Sequence, residues 1–149
     1  MVILDTSVVI DHLRLGGKLT LLRKLVRRSN EKLALSIISI QELYEGKSSQ
    51  EPERERDLIS TVNGTKVLSY SYEIARLAGE FMRNSSGKVK FADAAIAATC
   101  LVNDCELATL NTRDFKSIPG LKIVNLETAK NWRWDSALEK ELRCRRLKL

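Results

Sequence analysis

The feature that most constrains the fold of this chain is the alternation of short apolar runs with longer amphipathic stretches. Runs such as VIL (2–4), LALSI (33–37) and ELATL (106–110) have the length of buried strands and are too short for helices. The stretches between them place apolar residues at helical spacing, as in YEIARLAGEFMRN (72–84). Strands that alternate with helices form a parallel sheet covered by helices, so the sequence predicts an α/β fold.

The same reading predicts the individual elements. Strands are expected at 2–4, 33–37, 66–69, 106–110 and 122–126, and helices at 6–15, 18–29, 39–46, 51–63, 72–84 and 92–103, with a short helical turn at 114–118. The stretch 128–149 has the pattern of a terminal helix with a frayed basic end. The helix at 92–103 is almost entirely apolar and is therefore expected to be buried.

The small number of histidine and cysteine residues excludes several kinds of chemistry. The 149 residues include one histidine, His12, and three cysteines, Cys100, Cys105 and Cys144. This set does not contain the closely spaced ligand pairs of a zinc site, and an odd cysteine count argues against a disulfide framework. A reaction that uses two histidines as acid and base is impossible. If the protein is an enzyme, its carboxylates are the main catalytic candidates.

The chain ends and the charge suggest where the protein acts. Met1 is followed by VILDTS rather than by a basic and then an apolar signal region, and no apolar run approaches the length that spans a bilayer. We therefore expect a cytoplasmic protein with no membrane partner and with reduced thiols. The formal charge is +6, with basic clusters at 18–28 and 130–149. Such clusters indicate either a solvated surface or a phosphate-rich or acidic partner.

Acidic side chains occur where predicted strands end and the following helices begin. Asp5 ends the first strand, Glu42 and Asp93 lie near the starts of their helices, and Asn111 and Asp114 follow the strand at 106–110. In a parallel sheet these positions share one edge, which is where ligands bind. Several carboxylates in one place repel each other, and a hard divalent cation such as Mg²⁺ or Mn²⁺ relieves that repulsion. Such an ion orients water and stabilises charge on a phosphoryl oxygen.

Each acid also has a purely structural interpretation. Asp5 is a suitable N-cap for the first helix, and Ser39 with Glu42 has the spacing of a capping box. Asp93 is placed to complement a helix dipole, and Asp114 to cap the short turn at 114–118. The structural interpretation is weaker for the group as a whole, because Asp5 and Asp93 adjoin the most apolar elements and a buried charge without a partner is costly.

Four segments together resemble the PIN-domain proteins, and specifically the VapC-type toxins of toxin–antitoxin pairs. The segments are LDTSVVIDHL (4–13), SIISIQELYEG (36–46), FADAAIAATCLVND (91–104) and LATLNTRDFKSIPGLKIVN (107–125). The resemblance implies a three-layer α/β/α sandwich around a parallel sheet of four to five strands. It also implies an Mg²⁺- or Mn²⁺-dependent endoribonuclease, with a PIN domain at 1–128 followed by a C-terminal helix and basic tail at 129–149.

The resemblance also implies roles for individual residues. Asp5, Glu42 and Asp93 match the three acids of the family's metal site. Many members carry a fourth acid two residues after the threonine that ends this strand. Here Thr109 is followed at that spacing by Asn111, so the fourth position falls to Asn111 or to Asp114. The implied catalytic and metal-binding set is therefore Asp5, Glu42, Asp93 and Asp114, supported by Thr6, Ser7, Thr109 and Asn111.

The partners expected from the resemblance are an RNA substrate, a cognate antitoxin and a second copy of the chain. Lys88, Lys90 and Arg113 are the candidate RNA contacts, although ordinary surface charge explains them equally well. Aromatic residues make up only 5% of the chain, so base stacking is not expected to be the main source of affinity. The segments 18–28 and 39–63 would offer a groove to an antitoxin, with Leu22, Leu25 and Tyr44 as apolar contacts, unless these leucines belong to the protein's own core.

Other functions need different residues at the same edge. A haloacid-dehalogenase-type phosphatase needs a second Asp two residues after the first, where this chain has Ser7. A response-regulator receiver needs a central acceptor Asp, which the strand at 66–69 does not supply. A catalytically silent PIN scaffold and a housekeeping PIN nuclease both remain open, the former because Asn111 occupies a position where many members have an acid.

Overall fold

The structure, a computed structural model, describes residues 1–15, 20–27 and 32–124. In chain order these residues form four strands and seven α-helices. The strands are β1 (Val2–Leu4), β2 (Leu33–Ser36), β3 (Lys66–Leu68) and β4 (Glu106–Ala108). The helices are α1 (Thr6–Leu15), α2 (Leu21–Arg27), α3 (Ile37–Glu45), α4 (Pro52–Asn63), α5 (Tyr72–Asn84), α6 (Phe91–Val102) and α7 (Thr112–Phe115), with a short 3-10 turn at Lys47–Gln50.

The sheet is parallel, with strand order β3-β2-β1-β4. In the central register, Ile3 lies between Ala34 and Leu107. The predicted fifth strand at 122–126 extends past the described residues, and its described part forms one parallel bridge, between Leu107 and Ile123. Because parallel strands are joined by crossover helices, all four carboxyl ends of the strands lie at the same edge.

Alternate residues of each strand face opposite sides of the sheet, which produces two cores. Ile3, Ala34 and Leu107 pack with α5 and α6, whereas Val2 and Leu4 pack with α1, α2 and α4. This period of two is a property of extended backbone. The three-layer α/β/α sandwich expected from the sequence is therefore confirmed.

Helix α6 is the most deeply buried element of the described chain. All seven residues from 94 to 100 are buried, and four of them are alanines. Small side chains let this helix pack closely on the sheet and against α3 and α5. The first turn of α6, which carries Asp93, is consequently held at the carboxyl edge.

The main difference in element boundaries concerns α3. This helix begins at Ile37, two residues earlier than predicted, because the Ser36 hydroxyl ends β2 by accepting a hydrogen bond from the backbone N–H of Ile38 (3.3 Å). The proposed capping box of Ser39 and Glu42 is therefore wrong. Ser39 lies inside the helix, where its hydroxyl is buried without a hydrogen-bond partner in the described part of the protein.

Several sequence predictions fall outside the described residues. These are the domain boundary at 128, the C-terminal helix and tail at 129–149, and the ends of the helix predicted at 18–29. None of the helices in the described ranges is long and apolar enough to cross a membrane.

Candidate active site

Asp5 is the best-anchored carboxylate of the site. It follows β1 directly, is buried, and donates its backbone N–H to the Ala108 carbonyl (2.9 Å). The Ser7 and Thr109 hydroxyls both donate to its Oδ2 atom, at 2.5 and 2.7 Å. Among the described residues, the Asp5 side chain accepts hydroxyl groups at Oδ2 and caps no backbone N–H group of α1, so Oδ1 could take another ligand.

The two hydroxyls that hold Asp5 are themselves oriented by the loop after β4. The backbone N–H of Leu110 donates to Ser7 Oγ (3.2 Å), and that of Asn111 donates to Thr109 Oγ1 (2.9 Å). Each hydroxyl accepts one hydrogen bond from the backbone and donates one to the carboxylate, so its proton points toward Asp5. This network joins residues about a hundred positions apart, so the ends of β1 and β4 are in direct contact.

Glu42 lies in the second turn of α3 and is half-buried. The Thr6 hydroxyl donates to its Oε2 atom (2.5 Å). Burial raises the pKa of Glu42, the Thr6 hydrogen bond lowers it, and the negative charge of Asp5 raises it further. Thr6, the first residue of α1, therefore links α1 to Glu42 of α3, just as Ser7 and Thr109 link α1 and the end of β4 to Asp5.

The pKa of Asp93 is raised by burial and by the other carboxylates of the site. Asp93 is the third residue of α6, and its pKa is raised to about 6, first by burial and then by the negative charges of Asp114, Asp5 and Glu42. The Lys90 ammonium opposes that rise. Three carboxylates from three other segments thus lie within electrostatic reach of Asp93.

Asn111 and Asp114 occupy the β4 side of the site together. The Asn111 amide donates from Nδ2 to Asp114 Oδ2. Asp114 is exposed and lies inside α7, which begins at Thr112, so it does not cap the turn predicted at 114–118. The two candidates for the fourth position are therefore partners, with Asp114 as the acid and Asn111 as the group that orients it.

The donor chemistry of these residues fits a hard divalent cation. All the candidate ligands offer oxygen atoms, which Mg²⁺ and Mn²⁺ prefer. Within residues 1–15, 20–27 and 32–124, no group of three or more His, Cys, Asp or Glu side chains is arranged to hold a metal ion. Mg²⁺ usually keeps several waters and takes one or two carboxylates, so this site suits an ion bound largely through water. The raised pKa of Asp93 indicates negative charge that a cation would offset.

The three basic candidates are all exposed. Lys90 is the N-cap residue of α6, and Arg113 directly precedes Asp114 in α7. Lys88 lines a cavity of about 480 Å³ between the end of α5 and the segment after α7. Of the three, Lys90 is the one whose charge acts on Asp93. Their roles as RNA contacts remain predictions.

Sequence reasoning missed an aromatic pair at the same edge. Tyr70 follows β3 by two residues, and Phe91 is the first residue of α6. The centroids of their rings are 6.1 Å apart and the planes are inclined by 65°. In the sequence, the only sign of this pair is that Phe91 stands two residues before Asp93. Nothing in the sequence indicates Tyr70 as its partner, because Tyr70 lies 21 positions earlier.

His12, Cys100 and Cys105 are not part of this cluster, and Cys144 lies outside the described residues. His12 Nδ1 shares a hydrogen bond with Thr20 Oγ1 (2.8 Å), and burial followed by the charge of Arg23 lowers its pKa. Cys100 and Cys105 are buried free thiols whose pKa values are raised by burial. A half-buried histidine with a lowered pKa and two buried thiols with raised pKa values are typical of structural positions.

The sequence and fold comparisons agree with this geometry. The PIN-domain family profile matches residues 2–121. Ribonuclease VapC10 of Mycobacterium tuberculosis is 35% identical over 126 residues, covering 82% of this chain and 91% of that protein. Ribonuclease VapC19 of the same species is 31% identical over 125 residues, covering 82% and 98%.

Solved structures show the same architecture. A toxin–antitoxin complex from Klebsiella pneumoniae matches with a TM-score of 0.64 and 26% identity, over 84% of this chain and 97% of that one. The DNA-bound VapBC2 complex of Rickettsia felis matches in fold with a TM-score of 0.71 at 20% identity, over 91% of this chain and 100% of that one. The chain belongs to the PIN-domain family, and its relatives place it with the VapC ribonucleases of that family.

Proposed function

We propose that the protein is an Mg²⁺- or Mn²⁺-dependent endoribonuclease and the toxin of a VapBC-type pair. The observation that carries the proposal is the convergence of Asp5, Glu42 and Asp114 on Asp93, whose pKa is raised to about 6 first by burial and then by these three negative charges. Family membership adds support, because relatives that align over most of the chain are named ribonucleases.

The carboxylates divide the work according to their surroundings. Asp5 and Asp93 would hold the ion directly or through water, and Glu42 with Asp114 or Asn111 would complete its shell. A bound ion lowers the pKa of water and offsets charge on the phosphoryl oxygens. Thr6 orients Glu42, whose raised pKa suits it to accept the proton of the attacking water.

The RNA strand would approach across the exposed basic residues that surround the carboxylates. Lys90 lies beside Asp93, Arg113 lies beside Asp114, and Lys88 borders the cavity at the end of α5. Ammonium and guanidinium groups position a nucleic acid through its phosphates without reading its sequence. The arrangement therefore supports cleavage of a single strand or loop that can enter the acidic centre.

Partners other than RNA are proposed from the neighbouring structures. Several of these are toxin–antitoxin complexes, which supports an antitoxin partner for this chain. A toxin homodimer is proposed from the family resemblance alone. The structure alters the expected contacts, because Leu22 and Leu25 are buried in the core, whereas Val26 is 64% exposed. A cavity of about 320 Å³ between α2 and the end of α4 would take an apolar antitoxin side chain.

The decisive experiment is a metal titration with a fluorogenic RNA. Cleavage should require Mg²⁺ or Mn²⁺ and should stop when EDTA is added. Asp5→Asn should reduce cleavage by at least about a hundredfold while leaving the circular dichroism spectrum unchanged, because it weakens the best-anchored ligand. Asp104→Asn is the matched control. This exposed acid precedes β4, at the edge of the sheet opposite to the carboxylates, and pairs with Lys122.

The outcomes separate the competing functions. Metal-dependent cleavage by Asp5→Asn at the wild-type rate would remove Asp5 from the site. RNA binding without cleavage under any metal would favour the silent scaffold. If the protein cleaves RNA but does not co-purify with a small protein encoded by a neighbouring gene, the housekeeping nuclease is favoured.

A further inference from the structure

We propose that Tyr70 and Phe91 form a stacking surface for one base of the RNA strand that enters the active site. We call this pair the aromatic step. The inference rests on the proposed function, because its ligand is the same RNA. It adds a direct contact to a base, whereas the basic residues contact phosphates only.

The aromatic step combines a fixed ring with an open one. Tyr70 packs partly buried against the core formed by α5 and α6. Phe91 is 49% exposed and meets Tyr70 edge to face, with centroids 6.1 Å apart and planes inclined by 65°. Edge-to-face contact is a favoured aromatic geometry, so Tyr70 orients Phe91 while about half of the Phe91 surface faces solvent. An exposed, oriented ring is suited to stacking against a planar base.

The position of the aromatic step follows from the strand order β3-β2-β1-β4. Tyr70 follows β3, whereas Asp5 follows β1 and Asp114 follows β4. Neighbouring strands lie about 4.8 Å apart, so β3 is about 10 Å from β1. The aromatic step and the carboxylates therefore lie side by side along one edge. A strand whose scissile phosphate reaches Asp5 would bring a nearby base over Phe91.

Lys90, a basic residue, is adjacent in sequence to the Phe91 ring of the aromatic step. Lys90 directly precedes Phe91, is exposed, and acts electrostatically on Asp93. A cation for the phosphate beside a ring for the base is the usual combination in proteins that bind single strands. In the sequence, Phe91 thus stands between Lys90, which would hold the backbone, and Asp93, which would take part in cleavage.

The test is an abasic scan of RNA binding in EDTA, where binding is measured without cleavage. Each RNA in the series lacks one base. For the wild type, affinity should fall about 5- to 150-fold at one position, the range found for the stacking of one base. Phe91→Ala should cause a similar loss with intact RNA and should make the protein insensitive to the missing base at that position.

Three further variants separate stacking from general apolar contact and from folding. Phe91→Trp should retain binding, and Phe91→Leu, which keeps an apolar side chain without a ring, should lose it. Ile59→Ala, at a 41% exposed position on α4, should bind as the wild type. Thermal denaturation of each variant confirms that the folded state is being compared.

Distinct results would overturn the inference. If Phe91→Leu binds RNA as the wild type does, the ring does not stack on a base. The same conclusion follows if the loss of RNA affinity caused by Phe91→Ala adds to the loss caused by the missing base at every position. If Phe91→Ala weakens only the complex with a co-expressed small protein, the aromatic step belongs to a protein interface. If the wild type neither binds nor cleaves RNA, the proposed function itself fails and the inference fails with it.

Discussion

At the scale of single residues, hydroxyl groups hold the acidic site together. Thr6 donates to Glu42, and Ser7 and Thr109 donate to Asp5. A neutral hydroxyl orients a carboxylate without removing its charge, unlike an arginine or lysine partner. The site therefore keeps the negative charge that a divalent cation would need, at a cost to the stability of the metal-free protein.

The charge of Asp93 should make the metal-free protein less stable at neutral pH. The folded pKa of about 6 lies above the unfolded value of 3.8, so ionisation is disfavoured by folding. The stability associated with the protonated carboxyl is present below about pH 4 and is lost as the pH rises through about 6. Asp93→Asn should therefore increase the free energy of unfolding at pH 8 by about 1 kcal/mol, a value reduced to allow for solvent screening.

Urea denaturation in EDTA at two pH values measures this effect. At pH 4 the carboxyl is protonated in the folded protein, so Asp93→Asn should change stability little and serves as an internal control. Equal effects at pH 4 and pH 8 would mean that the substitution acts through packing and not through charge.

At the scale of elements, the helices divide into those that build the site and those that support the sheet. The first turn of α6 carries Asp93, and α3 carries Glu42, whereas α4 covers the opposite face with Leu58 buried in the core of α1 and α2. Since neighbouring residues of α4 differ sharply in burial, this helix offers a direct test of whether stability and activity separate.

Leu58→Ala should reduce the free energy of unfolding by about 2–5 kcal/mol, because a fully buried leucine leaves a cavity when it is truncated. Ile59→Ala, at the adjacent exposed position, should cost less than about 1 kcal/mol. Chemical denaturation gives both values. Cleavage per folded molecule should be unchanged in both variants, and a loss of activity in folded Leu58→Ala would show that α4 also shapes the site.

At the scale of the whole molecule, the chain carries a net charge of +6, whereas its candidate site is built from carboxylates. Positive residues around the carboxylates would attract RNA, and the carboxylates would hold the ion that takes part in cleavage. Many of the basic residues lie in the last twenty positions, outside the described residues. The contribution of the described basic residues can nevertheless be tested by the dependence of binding on salt.

Lys90→Ala should weaken binding to single-stranded RNA and reduce the slope of log affinity against log salt by about 0.7, the value for one lost phosphate contact on a single strand. Fluorescence anisotropy titrations at salt concentrations from about 50 to about 200 mM measure the slope. Lys66→Ala is the matched control, because this exposed lysine begins β3 and lies at the opposite edge of the sheet. Equal slopes for Lys90→Ala and the wild type would exclude Lys90 from the phosphate contacts.

The fold and most of the acidic cluster could be predicted from the sequence because both depend on local patterns. The strand at 2–4 and the helix at 72–84 have the predicted bounds, since apolar spacing marks both elements and the Ser71 side chain caps the start of the helix. The capping box at Ser39 was predicted wrongly. A serine before a helix and a serine inside it look alike in sequence, and only the end of β2 at Ser36 distinguishes them.

The sequence by itself determined the parallel α/β architecture and the acids that meet at its edge, because helix and strand periodicity and the topology of parallel sheets follow from backbone geometry. Only the tertiary structure decided which groups pair there. Thr109 donates to Asp5, and Tyr70 meets Phe91, through side chains whose contacts depend on how separate elements pack. Packing of this kind involves residues distant in the chain, so no local pattern encodes it.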